Sequence, residues 1–447
     1  MNTSQTDGNA VSSSSDFLLE ENHDLPLCRL QFTTRAGATS DQTHFAQLGI
    51  DSAVPGLCNF ASELQRRGAA AKTRAEIDEA LDSLGAGLQI LCWHDQVLYE
   101  VMSLREHFEA AVELLAQVLL QPDFAADETE RLRRELLASL DDLRDDDNSL
   151  VHRFFARELY GDTPYGSPVA GTRESTLALD RAAARAWHKQ HIVQGNLIVG
   201  AAGAICEEEV KTLLSKYRLP LGARMDSPIP PPASGKGRRV LIVDKPERSQ
   251  SQILIGQLAP HWKDPAWLPL HVATYALGGT FTARLMDEVR VKRGLSYGAS
   301  ARLSNGRGQR SLHLHVFPSA EKTAETIELV LSVFEEWATK GMRTGELDFV
   351  KSYLQKSYAF SVQTADDRLG LRSRLAVCDM PADDVKTYPF RVGQVTEQDI
   401  RQAMKAFLRP DDLLITVVAT ADTVLPSLQA LPCLKDATFQ VVPYDSY

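Results

Sequence analysis

The chain has 447 residues, 44% hydrophobic and 24% charged, the make-up of an ordinary water-soluble protein with length for two to four folded domains. Its formal net charge of −11 argues against a nucleic-acid backbone or an anionic membrane as the main partner, and no apolar run approaches the roughly 20 residues of a bilayer-spanning helix. Six cysteines (Cys28, Cys58, Cys92, Cys206, Cys378, Cys433) include no Cys-x-x-Cys pair, which excludes the common redox and zinc spacings and argues against a disulfide framework.

Residues 1–24 read as a disordered N-terminal segment, because the first 20 are rich in Ser, Asn and Asp and lack the apolar core of a signal peptide. A cytoplasmic location is the default, with the periplasm the alternative if a leader has been removed. A strand is expected from Leu25 to Gly37, then a loop over Ala38–Thr43. Leu57, Phe60, Ala61 and Leu64 are spaced for an amphipathic helix over 56–67, and a second helix over 74–84 ends at Gly85. Strands follow at 88–93 and 97–104, then a helix over 107–120 that stops before Pro122. A long helical pattern from Ala126 to about Arg144 runs into Asp145-Asp146-Asp147-Asn148, which reads as a solvated loop. Helices at 151–160 and 181–191 and an apolar strand at 196–205 complete this half.

The Pro-rich run at 221–237 favours an extended chain and is expected to be a linker. Beyond it come strands at 239–243 and 252–257, a helix at 266–277, strands at 299–303 and 311–317, helices at 323–339, 345–361 and 397–407, and an apolar strand at 412–421. This order repeats the first half. Asn196-Leu197-Ile198-Val199 answers Asp412-Leu413-Leu414-Ile415, and 110–119 answers 325–334. Self-similarity at so long a period means a duplicated domain rather than a solenoid. The expected fold is therefore α+β, with two homologous domains (25–220 and 238–447), each an antiparallel-rich sheet packed with helices.

Between the second-half helix and strand lies Leu277-Gly278-Gly279-Thr280-Phe281-Thr282-Ala283-Arg284-Leu285, continuing through Arg290 to Gly294-Leu295-Ser296-Tyr297. Phe281, Leu285 and Val289 recur every four positions, so a helix is expected there, with Arg290 in its last turn and Tyr297 on the strand after Gly294. Two large hydrogen-bond donors thus flank one tight turn, an arrangement suited to gripping carbonyl oxygens. The stretch resembles the C-terminal half of the insulinase/pitrilysin-type zinc peptidases (inverzincins), which include the mitochondrial processing peptidase subunits. The resemblance covers about residues 25–430 and implies two sandwich domains facing each other and two chains that close like a clamshell around a chamber. It also implies that Arg290 and Tyr297 contact substrate, with Gly278, Gly279 and Thr280 letting the backbone approach the peptide. Substrate would enter as an extended strand pairing with a sheet edge.

In active members of that family the first-half helix carries His-x-x-Glu-His, whose two imidazoles hold zinc while the Glu deprotonates the attacking water. Here the corresponding residues are Asn59, Ser62 and Glu63, and one carboxylate without an imidazole does not make a catalytic zinc site. Asp141 or Asp142 falls near the third-ligand position, with Glu135 seven residues before Asp142, and a solvated acidic face is the plainer reading. The pairs His188/His191 and His313/His315 lack further ligands and read as structural or solvated.

By the resemblance, the chain is expected to bind no metal itself and to supply Arg290 and Tyr297 to a paralogous partner that carries His-x-x-Glu-His and zinc. The substrates would be peptides, and neither nucleic acid nor membrane is an expected partner. The alternatives are a catalytically inert scaffold subunit and a self-associating peptide-binding protein.

Overall fold

A computed structural model describes residues 17–42, 54–225, 228–233 and 235–446. In the first half the elements are β1 (Phe17–Glu21), β2 (Leu27–Thr34), α1 (Leu57–Gln65), the short hairpin β3 (Gly68–Ala69) and β4 (Lys72–Thr73), α2 (Arg74–Leu84), β5 (Gly87–Cys92), β6 (Val97–Leu104), α3 (Phe108–Leu120), α4 (Ala126–Asp142), α5 (Asp147–Tyr160), α6 (Arg173–Ala178), α7 (Arg181–His191), β7 (Leu197–Gly203) and α8 (Glu207–Ser215). The second half has β8 (Arg239–Asp244), β9 (Gln252–Leu258), α9 (Trp267–Thr274), β10 (Ser296–Leu303), β11 (Ser311–Pro318), α10 (Thr323–Lys340), α11 (Glu346–Ser361), α12 (Ala365–Val377), α13 (Asp384–Gln394), α14 (Glu397–Phe407), β12 (Leu414–Ala419), α15 (Ala421–Gln429) and β13 (Thr438–Pro443).

The duplication is visible strand for strand. One sheet has the order β1-β7-β2-β6-β5, with β1 parallel to β7 and the other neighbours antiparallel. The other has the order β8-β12-β9-β11-β10, with β8 parallel to β12, the rest antiparallel, and β13 added beside β8. Each is an antiparallel-rich sheet packed with helices, the α+β architecture expected. The central strands β7 and β12 are apolar along nearly their whole length because both of their faces are covered. Half-buried β6 instead alternates from Tyr99 onward, with Tyr99, Val101 and Ser103 inward.

The compact units do not follow the expected domain boundaries. One unit takes in the described residues of Met1–Leu137, Val169–Pro228 and Phe360–Val385, and the other those of Ala138–Pro168, Ile229–Ala359 and Lys386–Tyr447. Apolar faces explain the trade. Leu150, Val151, Phe154 and Phe155 of α5 are buried with Leu241, Leu254 and Leu414 of the second sheet. Ala365, Leu369 and Val377 of α12 are buried with Leu18, Ile198 and Ala202 of the first.

Several expectations change in detail. The expected N-terminal disorder does not extend to Phe17, because β1 pairs with β7 and Arg368 and Arg372 bind Glu20; residues 1–16 lie outside the described ones. The acidic run after α4 is not a loop throughout. Asp146 caps α5 by accepting from Asn148 N at 3.0 Å, and hydrogen bonds from Ser149 hold its carboxyl below the usual carboxylate range. Residues 38–42 form a tight 3₁₀ turn, and Thr43 falls outside the described residues. No helix among the described residues is long and apolar enough to cross a membrane.

Candidate functional site

In the second unit, α9 widens into a π-helical turn at Tyr275–Gly279. At Gly278 an added Cβ would lie 2.3 Å from Ala301 N on β10, and at Gly279 it would lie 2.6 Å from the Tyr275 ring. Both glycines are therefore needed for close packing, whatever else they do. The chain turns at Phe281–Thr282 and forms a second wide turn at Met286–Val291, in which Lys292 N reaches the Asp287 carbonyl at 2.9 Å. Such π turns recur at functional sites.

The expected helix spacing is only partly realised. Leu285 and Val289 are fully buried, but Phe281 is 69% exposed. Its ring serves another residue: the Arg290 guanidinium carbon lies 4.9 Å from the Phe281 ring centre and 4.5 Å from that of Tyr297. Tyr297 is 77% exposed, turned outward where the register of β10 shifts between Ser296 and Ala299. Ser296 Oγ supports that irregularity, donating to Gly298 O at 2.7 Å and accepting from Phe317 N at 3.1 Å.

The basic residues of this stretch fall into two kinds. Arg284 is buried and bidentate on Glu346, with a further bond to Gly341 O at 2.8 Å. Lys292 and Arg293 are paired with Asp287 and Glu288. Arg290 has no carboxylate or hydrogen-bond acceptor on its guanidinium among the described residues; two aromatic faces hold it, and its N–H donors stay available. Tyr297 Oη likewise has no partner among them. The outward edge of β10 is less open: Ala299 N donates to Met286 Sδ at 3.3 Å and Gly278 lies against Ala301.

In the first unit the zinc-motif positions lie on α1. The buried carboxylate of Asp41 caps this helix, accepting from Gly56 N and Cys58 N at 2.8 Å each, and burial pushes its pKa up to about 8. Ser62 Oγ turns back onto the helix, 2.8 Å from Cys58 O and 3.0 Å from Asn59 O. Glu63 is exposed as a residue, yet its carboxyl sits in crowded surroundings that raise its pKa against the pull of Arg67, Arg66 and Arg74. One turn on, buried Arg67 lies 2.5 Å from Glu135 and 3.4 Å from Glu128, and its hydrogen bond holds the Glu135 carboxyl below the usual range. An amide, a hydroxyl committed to the backbone and one carboxylate without an imidazole do not fit zinc. Asp141 and Asp142 are exposed at the end of α4 and fall in the other unit, with Asp141 3.6 Å from Arg144.

The histidine pairs also read as structure. His188 Nε2 lies 2.7 Å from Leu119 O, and His191 is fully buried against Trp187, burial pushing its pKa to about 3. Missing from the sequence reading is His152 of α5, whose ring centre lies 6.0 Å from that of His313 and 5.5 Å from that of His315. These imidazoles pack edge to face, and among the described residues no three or more His, Cys, Asp or Glu side chains are placed to hold a metal.

Residues 50–173 match the model of insulinase, peptidase family M16, and residues 178–354 that of the peptidase M16 inactive domain. A Mycobacterium leprae protein named an uncharacterized zinc protease is 25% identical over 355 residues, 78% of each chain. The non-peptidase homolog YmxG of Helicobacter pylori is 22% identical over 408 residues, 90% of this chain and 91% of that one. The solved peptidase M16 inactive domain of Pseudomonas fluorescens shares the fold, with a TM-score of 0.82 at 24% identity over 90% of this chain and 94% of that one. With two models of one family matching in tandem from residue 50 to 354, the chain belongs to the M16, or insulinase, peptidase family, and its sequence contains no His-x-x-Glu-His.

Proposed function

We propose that this chain is the metal-free subunit of a two-chain zinc metallopeptidase acting on peptides, its partner being a paralogous chain with His-x-x-Glu-His. The observation that carries the reading is Arg290, a cation whose donors no described residue engages, beside an exposed phenol and on a turn whose other basic residues are all paired. Arg290 would hold the carbonyl oxygen of the scissile peptide through its planar fork. Tyr297 would donate its hydroxyl proton in a hydrogen bond to the same oxygen as negative charge develops on it. The glycines and Thr280 would let the peptide backbone come close. Zinc, bound only by the partner, would supply the activated water.

The test is reconstitution. Alone, the chain should cleave no peptide; mixed with a His-x-x-Glu-His paralogue it should restore cleavage, and Arg290→Ala and Tyr297→Phe should lower turnover while the two chains still co-elute. Undiminished turnover in both variants would remove these residues from the mechanism. The name non-peptidase homolog, borne by the Helicobacter pylori relative, favours a second reading as an inert scaffold or self-associating peptide binder. Co-purification separates them: a zinc-carrying paralogue supports the first reading, a large assembly or only copies of itself the second.

A further inference from the structure

Cys58, in the first turn of α1, and Cys92, the last residue of β5, are both free thiols with their sulfur atoms 3.3 Å apart. Neither belongs to the Arg290 turn, and both lie in one unit. The surroundings hold them in place. Asp41 fixes the start of α1 by its two bonds to Gly56 N and Cys58 N. Cys92 ends its strand opposite Val97, and Trp93 N closes the hairpin onto Gln96 O at 2.9 Å. Ala38 N and Thr39 N then tie the 38–42 turn to the carbonyls of Trp93 and His94, both at 2.8 Å.

We propose that Cys58 and Cys92 form an oxidant-responsive site that closes to an intrachain disulfide. The sulfurs, 3.3 Å apart, need approach by only about 1.3 Å to reach the roughly 2.03–2.05 Å of an S–S bond, within the reach of small side-chain rotations. Exposure sets the order of events. Cys58 is fully buried and Cys92 only half-buried, so a peroxide meets Cys92 first. The Cys92 thiolate attacks one peroxide oxygen, the O–O bond breaks, and with one proton the products are a sulfenic acid and water. Cys58 sulfur then attacks the Cys92 sulfur; the S–S bond forms, hydroxide leaves and takes the Cys58 proton as a second water. Two thiols and one hydrogen peroxide thus give one disulfide and two waters. Burial pushes the Cys58 thiol well above its ordinary value, so the second step is the slow one and speeds up as pH rises.

Closure would tie α1, with Asn59, Ser62 and Glu63, to the β5–β6 hairpin across a separation of 34 residues. The test uses the full chain and hydrogen peroxide. Free thiols should fall from six to four, a non-reducing peptide map should show Cys58 joined to Cys92, and dithiothreitol should restore all six. The apparent Tm should rise by about 5 °C on oxidation. Cys92→Ser should abolish the joined peptide, whereas Cys206→Ser should leave it forming at the parent rate. Six thiols persisting after treatment, a link between other cysteines, or Cys92 oxidised to sulfinic acid with Cys58 still free would each overturn the proposal.

Discussion

Two stretches lie between corresponding strands of the two repeats, α1 between β2 and β5 and residues 281–291 between β9 and β10, and their polar groups are in opposite states. On and beside α1 the strong groups are closed: Ser62 bonds its own helix, and Arg67 is sealed by Glu128 and Glu135. On the second stretch Arg284 is sealed in the same way by Glu346, but Arg290 and Tyr297 have donors that no described residue engages, and Tyr297 is exposed. Folding energetics account for the closed groups, since a buried charge stripped of its partner is strongly destabilising. They do not account for an unpaired cation between two exposed rings, which adds little to stability. That difference is what supports the proposal that function lies on the second stretch.

The sharpest way to break the comparison is to measure turnover and stability on the same variants. In the reconstituted pair, Arg290→Ala should lower kcat by about 100-fold or more, equivalent to roughly 2.7–4 kcal/mol of transition-state stabilisation. The same substitution should change unfolding free energy by less than about 1 kcal/mol. Arg284→Ala should do the reverse: it strands the Glu346 carboxylate and the Gly341 carbonyl, lowering stability by about 3 kcal/mol in urea denaturation. If Arg290→Ala unfolded the protein as readily as Arg284→Ala, Arg290 would be a structural residue and the contrast would be lost.

The same contrast shows what could be read from the sequence. The duplication, the order of most elements along the chain and the Arg290–Tyr297 turn were legible because long apolar strands and a Gly-Gly break carry strong local signals. β1 was not, because Phe17-Leu18-Leu19 is a short run inside a polar segment; its counterpart β8 was the available clue that the first half needed one more strand. Nor was the exchange of α5 and α12 between the units, since an amphipathic face does not say which sheet covers it. Phe281 was misplaced for a related reason: spacing of four put it with Leu285 and Val289, but the chain is still turning at 281–282 and the helix face has not begun. The Arg67–Glu135 pair, 68 residues apart in sequence, was invisible to any local pattern.

Acid should weaken both units through histidines that fold neutral. Burial brings His191 and His313 to about 3 and His271 and His315 to about 4, all below the ordinary 6.5. Their contribution is intact above pH 6.5 and declines as pH falls from there toward 4 and 3, because the unfolded chain then binds protons that the folded one refuses. Each histidine adds a slope of at most about 1.4 kcal/mol per pH unit. Asp41 opposes them: its raised value, about 8, favours the folded state below pH 4 and loses that contribution as pH rises toward 8. With four histidines against one acid, urea midpoints should drop between pH 7 and pH 5. His313→Asn should flatten the decline, and an unchanged slope in that variant would assign the acid sensitivity elsewhere.

The smallest expected effect tests how Arg290 is held. Phe281 supplies one of its two aromatic faces, a contact worth about 0.5–1 kcal/mol at an exposed site. Phe281→Ala should therefore leave stability within about 1 kcal/mol and lower turnover in the reconstituted pair only about two- to five-fold, by letting the guanidinium swing among rotamers. Phe281→Tyr keeps a face of the same kind and should recover most of that loss, whereas Phe281→Leu keeps the apolar bulk but not the ring quadrupole and should not. A loss in Phe281→Ala as large as that in Arg290→Ala would mean the ring itself meets the substrate, and the site would then be an aromatic cleft with a cation at its wall rather than a cation steadied by two rings.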